Sequence, residues 1–371
     1  MTSWLDSVEV VVVGAGIVGL AHAVAAVDRG LTVAVVERDD RATGASVRNF
    51  GHGCITAQDG VALEYALEAR ETWLRLAKEA GFWLRDRGTV VVARDGAEQA
   101  VLSEFAALRD GQVELLDAAA VTERVPVGPG VTGGALLPLD IRVDPRTAIG
   151  AIAAWLAAHG VRFHWGTNVH TIEPGLARTS RGGIRAGKIV VAVGHDVDRH
   201  FPDVAEDFGV RRCALRMLRV ADPHGGTIDP AVLTGHSMLR YDGFAACPSL
   251  AAVRERLTTE NPELIDIGLN LMLTQAPSGE LTIGDTHHYD RTLDPFDDER
   301  LDEAVLAETA RLLGVPALTV RQRWRGVYAS APGPYLIAAP HDGVRVVSVT
   351  SGIGMTTAFG LAPHVLDDLL I

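Results

Sequence analysis

The chain has 371 residues, 47% of them hydrophobic and 22% charged, with a net charge of −13. That supports a large buried core in about two domains and excludes wholesale disorder. The acidic balance argues against nucleic acid or an anionic membrane as a main partner, although a local arginine cluster can still receive an anionic substrate.

The first element is an apolar strand, Val8–Val13, followed by Gly14-Ala15-Gly16-Ile17-Val18-Gly19 and a helix from Ile17 to about Arg29. Gly14 permits the tight turn, Gly16 lets backbone approach a pyrophosphate, and Gly19 lets the helix pack closely on the sheet. The helix N-terminus turns free N–H groups and its positive dipole end towards the phosphates. A second strand, Leu31–Val36, ends on Glu37-Arg38, with Glu37 18 residues after Gly19. A carboxylate at that spacing binds ribose hydroxyls and repels a 2′-phosphate, so FAD or NAD is expected over NADP.

A polar, glycine-rich loop from Asp39 to Gly53 follows, then a helix from about Gly60 to Ala80, a strand Gly88–Ala93 and a helix Glu98–Arg109. Val113–Leu139 reads as irregular because of Pro126, Pro129 and Pro138. Asp144-Pro145 is a helix start, as N-cap and first-turn proline, for a helix ending at Gly160. Strands are expected at Val161–Trp165, Asn168–Ile172 and Lys188–Gly194. The stretch from about Arg211 to Asp290 reads as strand-rich, with Ala214–Val220, Ile265–Thr274 and Leu281–Asp285, the last two joined by the turn Gln275–Glu280. Asp297–Leu313 is an amphipathic helix, and the chain closes with a strand Val344–Val349, a turn at Ser351–Gly354 and a helix to Leu370.

No apolar run reaches the length of about 20 residues that spans a bilayer, and the N-terminus lacks a basic, then apolar, signal segment. Cys54, Cys213 and Cys247 form neither a CxxC pair nor a disulfide framework, so the expected home is the reducing cytoplasm. No metal-ligand spacing occurs, and adjacent His287-His288 fall on opposite faces of a strand.

Several segments together resemble the flavoprotein superfamily of glycine oxidase, D-amino-acid oxidase and sarcosine oxidase: VVVGAGIVGL, Glu37-Arg38, Ser46-Val47-Arg48-Asn49, Lys188–Gly194 and Val349–Thr356. Asp140–Pro145 is similar to the segment that leads into the family's middle helix. The loop Arg48–Gly53 and Ile283–His287 resemble a subgroup linked to catabolism of aminophosphonates. The resemblance implies an α/β fold: a Rossmann-type FAD-binding domain from 1–85, 141–210 and 321–371, with an inserted strand-rich α+β substrate domain from 86–140 and 211–320. It implies noncovalent FAD, since no cysteine follows Cys247 to form the linkage some sarcosine oxidases use.

By the same resemblance Gly14, Gly16, Ile17, Val18 and Gly19 face the pyrophosphate, Glu37 and Arg38 the adenosine, and Val169 the adenine. Ser46, Arg48 and Asn49 lie near the ribityl chain or flavin ring. Ala192 and Gly194 join the cofactor wall, and Gly352, Ile353, Gly354 and Met355 sit at the flavin's pyrimidine end. The last turn also has a physical warrant: a helix start brings N–H groups to where reduced flavin carries negative charge.

The implied reaction oxidises the C–N bond of a small anionic amine (an amino acid, N-methyl amino acid or aminophosphonate) by hydride transfer to flavin. An imine and then a carbonyl result, with oxygen as electron acceptor and hydrogen peroxide as product. No residue is singled out as catalytic acid or base. Substrate-orienting candidates are His52, His287, Arg325 and Tyr328. His52 also reads as a loop histidine bonded to backbone, His287 as a surface histidine and Tyr328 as core packing. Arg325 is suited to bidentate binding of carboxylate or phosphonate. An NAD-dependent dehydrogenase and a non-catalytic dinucleotide-sensing module are the alternatives; neither accounts for both the Ser351–Met355 turn and the strand-rich insert.

Overall fold

The computed structural model describes residues 4–371. β1 (Trp4–Val13) pairs in parallel with β2 (Val33–Val36) on one side and with Gly182–Val191 on the other, and α1 (Ile17–Asp28) is the crossover. Arg162–His164 extends this parallel sheet beyond β2, and Val344–Ser351 extends it beyond Gly182–Val191. A parallel sheet of this kind is buried on both faces, which is why its strands are continuous valine runs. Alternate side chains feed two cores. Val10, Val12, Val33 and Val35 pack under α1 and the helices Gly60–Glu79, Pro145–Ala158 and Gly354–Leu370. Val11, Val13, Ala34 and Val36 pack under the hairpin Val169–Glu173/Leu176–Thr179 and the short helices at 197–207.

The sheet continues past Val344–Ser351 through a 19-residue strand, Val320–Ala338. Its C-terminal half is antiparallel to Val344–Ser351 and its N-terminal half is antiparallel to Arg211–Val220. Beyond Arg211–Val220 come Leu281–Gly284, Met272–Gln275, Ala231–Leu233, Thr89–Ala93, Gly133–Leu137 and Glu114–Asp117. The parallel nucleotide end and the mostly antiparallel end thus form one sheet. The mixed α/β architecture agrees with the expected Rossmann-type fold.

Three local expectations change. Val113–Leu139 contains the strands Glu114–Asp117 and Gly133–Leu137 and the helix Ala118–Arg124. Its prolines fall between or after these elements, where the missing N–H breaks no ladder. Ile265 lies in a short helix, Pro262–Asp266, with Pro262 in its first turn, and the strand is confined to Met272–Gln275. Leu250–Glu260, within the stretch read as strand-rich, is a helix.

The helix Glu299–Leu313 is locked to the sheet by a buried ion pair. Arg216 donates Nε and Nη2 to the two oxygens of Asp302 at 2.8 and 2.7 Å. The Asp302 side chain is 0% exposed and that of Arg216 9%. Arg323 also reaches Asp302, at 2.9 Å, and Asp297 takes a further guanidinium nitrogen of Arg216. Breaking a buried pair leaves a charge without its partner, which typically costs more than the pair itself contributes. Asp302→Ala is therefore expected to destabilise the protein by about 3 kcal/mol, read as a lower midpoint in urea or thermal unfolding. An unchanged midpoint would show that the network does not hold the helix.

Candidate active site

The turn out of β1 is built around two close approaches. Gly14 has φ +105°, its N–H donates to Val36 O at 2.8 Å, and a Cβ there would collide with the carbonyl oxygen of Ala192. Gly19 packs so closely that a Cβ would collide with Gly14 O. The N-terminus of α1 opens beside the turn, and Ile17 N–H donates to Ser46 Oγ at 2.8 Å. At the end of β2, Glu37 accepts from Ala15 N–H at 2.9 Å and from Asp39 N–H at 3.1 Å.

These groups line one cavity of about 550 Å³. Its walls include Gly14, Gly16, Ile17, Val18, Glu37 and Arg38 at one end, with Val169, Ala192 and Gly194 beside them. The loop residues Ser46, Arg48 and Asn49 form its middle. Asn49 shapes that loop: its Nδ2 donates to Ala45 O and Ser46 O, and its Oδ1 accepts from Gly51 N–H. Gly352, Ile353, Gly354 and Met355 close the cavity from the start of the C-terminal helix. Gly352 has φ +78°, and Tyr328 Cζ lies 3.1 Å from where its Cβ would stand. Two helix N-termini therefore face the same space, a natural receiver for phosphate and for charge on a reduced ring. Gly19 does not line the cavity; it serves helix packing.

Arg38 is partly committed elsewhere. Its Nη1 donates to Asp196 Oδ2 at 2.7 Å, and Arg199 and Arg212 also bind Asp196. Burial opposes ionisation of Asp196, but His195 and the guanidiniums of Arg38 and Arg212 outweigh it and hold the carboxyl down to about 2.

The sequence-derived substrate candidates separate. Tyr328, His287 and His52 all line the cavity. His287 is not a surface histidine: its side chain is 6% exposed and its Nδ1–H donates to Gly268 O at 2.8 Å. Burial, with the Arg240 charge, lowers its pKa to about 3, so the ring is neutral and Nε2 presents a lone pair. His52 binds side chains, not backbone. Its Nε2 meets Thr89 Oγ1 at 2.7 Å and Asp140 Oδ2 at 3.2 Å, and its Nδ1 has no partner. Asp140 also accepts from Ile55 N–H, Thr56 N–H and Thr89 Oγ1. Cys54 lies within ligand distance of this pair. The carboxylate is nevertheless fully used by hydrogen bonds, and burial followed by the Asp140 charge drives the thiol well up.

Arg325 does not line the cavity. Its Nε donates to Asp297 Oδ1 at 2.8 Å, and its terminal nitrogens donate to Asp294 O, Phe296 O and the same carboxylate. An arginine that does line the cavity is Arg240, which the sequence reading did not single out. Arg240 lines the cavity and donates to Tyr289 Oη at 2.7 Å, and no carboxylate among the described residues forms an ion pair with it. Tyr241, Asn270, Asp285 and Tyr289 complete this end, with Leu215, Met217 and Met272 as apolar walls. No spacing rule unites residues from four separate segments. Nothing in the sequence marked Arg240, which follows the short helix Gly235–Met238.

The family model for the FAD dependent oxidoreductases (DAO) matches residues 9–367, and the chain belongs to that family. Its cofactor is accordingly FAD, which replaces the nicotinamide alternative, and it is an enzyme of the oxidoreductase class. No curated protein matches the sequence. The fold is shared with glycine oxidase from Geobacillus kaustophilus, at 20% identity and a TM-score of 0.77, covering 98% of this chain and 95% of that one. L-proline dehydrogenase from P. horikoshii aligns at 20% identity and a TM-score of 0.79, over 98% and 93%. L-amino acid deaminase from Proteus vulgaris aligns at 17% identity and a TM-score of 0.78, over 100% and 95%.

The residues fit the cofactor: the glycine cradle, Glu37 and the two helix N-termini lie along one elongated space. A side chain at Gly14 must adopt a backbone angle that costs on the order of 2 kcal/mol and must displace the Ala192 carbonyl. Gly14→Ala is therefore expected to yield protein that is largely colourless and depleted in FAD, measured by absorbance and by the flavin released on denaturation. A yellow, fully loaded variant would contradict this reading of the cradle.

Proposed function

We propose that the protein oxidises the C–N bond of a small amine that carries an anionic group, of the amino acid, N-methyl amino acid or aminophosphonate class. The observation that carries this reading is Arg240, a guanidinium without a carboxylate partner that opens on the same cavity as the flavin-binding turns. An unpaired arginine beside apolar walls is a receiver for carboxylate or phosphonate. Tyr289 fixes its orientation through the 2.7 Å hydrogen bond. When bound, noncovalent FAD supplies the acceptor for a hydride from the carbon next to nitrogen, with oxygen as the proposed final acceptor and peroxide the by-product. The chain's own residues hold the anion at Arg240, exclude water with Leu215, Met217 and Met272, and place Tyr328 across from Gly352.

The glycine oxidase and amino acid deaminase relatives support an amino-acid-like substrate. Phosphonate over carboxylate rests on the resemblance of the Arg48–Gly53 and Ile283–His287 segments alone. Segments 86–140 and 211–320 are the proposed substrate side; the pairing of Thr89–Ala93 with Ala231–Leu233 supports joining them. A reducing compartment, the cytoplasm, is supported by three unpaired, buried cysteines. Among the described residues no helix is long and apolar enough to cross a membrane.

Anaerobic titration of the yellow protein with glycine, N-methylglycine and 2-aminoethylphosphonate tests the reading: at least one should bleach the flavin, and failure of a wider panel of anionic amines would remove it. A charge-assisted bidentate contact contributes about 1.5–3 kcal/mol. Arg240→Met should then raise KM for the active amine roughly 10- to 100-fold with FAD content unchanged. Arg325→Lys, on a side chain outside the cavity, should leave KM unaltered. The opposite ranking of the two variants would return the anchor to Arg325.

A further inference from the structure

Besides Arg240 and the exposed Asp242, Asp285 is a charged residue lining this end of the cavity, and nothing in the reaction so far uses it. The residue is 4% exposed. Its backbone is clamped by two hydrogen bonds, Asp285 N–H to Asn270 O at 2.7 Å and Asn270 N–H to Asp285 O at 2.8 Å. Its Oδ1 has no hydrogen-bond partner. Its Oδ2 lies 3.9 Å from His287 Nε2, a nitrogen that offers a lone pair because the ring proton is given to Gly268 O. The carboxyl therefore lines the cavity with Oδ1 unpartnered and no cation in ion-pair contact, although the Arg240 charge and the Asn270 amide act on it. A buried carboxylate in that state is costly unless a cation arrives.

We propose that Asp285 receives the ammonium group of the substrate and takes its proton, leaving the neutral amine beside the anion held by Arg240. This rests on the anionic-amine reading above. The step balances as a proton transfer: one N–H bond of the ammonium breaks, one O–H bond forms on the carboxylate, and no electrons change hands. Its purpose is chemical, since a protonated nitrogen has no lone pair to stabilise the carbon centre that loses hydride. Arg240 and Asp285 thus form a pair of unlike charges that feel each other without closing into an ion pair, set for the two ends of a zwitterion.

The titration behaviour of the surroundings agrees. Burial raises the Asp285 carboxyl to about 7, against the opposing pull of Arg240 and the Asn270 amide. The groups that face it are Arg240 and Tyr241 after the Gly235–Met238 helix, Cys213 on Arg211–Val220, His287 and Tyr289 on its own segment, and Tyr328, whose ring is 6.5 Å from that of His287. Burial leads in lowering His287 to about 3, in raising Cys213 to about 11, and in driving Tyr241 and Tyr328 well upward. None of those four changes charge near neutrality, and Arg240 stays cationic.

The test uses the holoenzyme and the isosteric variant Asp285→Asn. With whichever of glycine, N-methylglycine or 2-aminoethylphosphonate reduces the flavin, wild-type kcat/KM should rise with pH through about 7. In the variant it should fall about 100-fold at neutral pH and recover only as the amine loses its own proton at higher pH. Binding of the amine-free anions acetate and ethylphosphonate, followed by calorimetry, should be retained in Asp285→Asn and lost in Arg240→Met. A third readout needs no turnover. The folded-state pKa lies above the ordinary carboxyl value of 3.8, so the wild type loses stability as pH rises from that value to about 7, after which the loss is constant. The melting temperature of Asp285→Asn relative to wild type should therefore climb across that window. An Asp285→Asn enzyme with unchanged kcat/KM and pH profile overturns this site alone. A wild type that no anionic amine reduces removes the functional reading and this site with it.

Discussion

The strand Val320–Ala338 pairs at its two ends with the parallel and the antiparallel parts of the sheet, and the position of Tyr328 follows from that. Its later residues pair with Val344–Ser351, which ends at the flavin turn, and its earlier ones pair with Arg211–Val220, the first strand of the antiparallel end. A ladder of backbone hydrogen bonds fixes register to one residue, because a slip would turn every side chain to the other face. Tyr328 is held in this way against Gly352, opposite Cys213 on the neighbouring strand. The cavity lies where the parallel and antiparallel parts of one sheet meet, outside the strand ends that carry the phosphate-binding turn.

The same alternation explains the fate of Arg325. Arg325 and Tyr328 are three residues apart on one strand, and successive side chains point to opposite faces. They cannot both turn into one cavity without a bulge between them, and the register runs unbroken from Arg211 opposite Ser330 to Arg219 opposite Gln322. Arg325 accordingly turns to Asp297, and Arg216 on the facing strand reaches Asp297 and Asp302. Arg323 and Arg325 of the cation-rich run join an ion network with Asp297, Glu299 and Asp302 at the Glu299–Leu313 helix, outside the cavity. The period of two was legible in the sequence and argued against coupling Arg325 to Tyr328.

The flavin side was far more legible than the substrate side, for a physical reason. A dinucleotide is bound largely by backbone: N–H groups at helix starts, glycines that admit the pyrophosphate, and one carboxylate at a fixed distance. Those demands fall on contiguous residues, so Gly14 to Gly19, Glu37 and Gly352 to Met355 can be read directly. The proposed substrate end is assembled from Arg240, Asn270, Asp285–Tyr289 and Tyr328, which lie far apart in sequence. Sheet pairing of Met272–Gln275 with Leu281–Gly284, and of Leu281–Gly284, His288–Asp290 and Val320–Ala338 with Arg211–Val220, brings most of them together. Prolines misled the reading of 113–139 because a proline between two short elements looks the same as one inside a loop.

Asp285 and Arg240 also show what the fold gives up at this end. Three internal carboxylates are satisfied closely: Asp302 holds two arginines, Asp196 binds three and Asp140 accepts four hydrogen bonds. The same chain leaves Asp285 and Arg240 lining one cavity without an ion pair between them. Pairing them to each other would be the more stable arrangement, and it would abolish a subsite for a molecule carrying the opposite charges at the same separation. Local loss of stability at a site that must receive a ligand is the ordinary signature of function. It is also the property that separates this constellation from the structural ion networks around it, whose carboxylates already hold their partners.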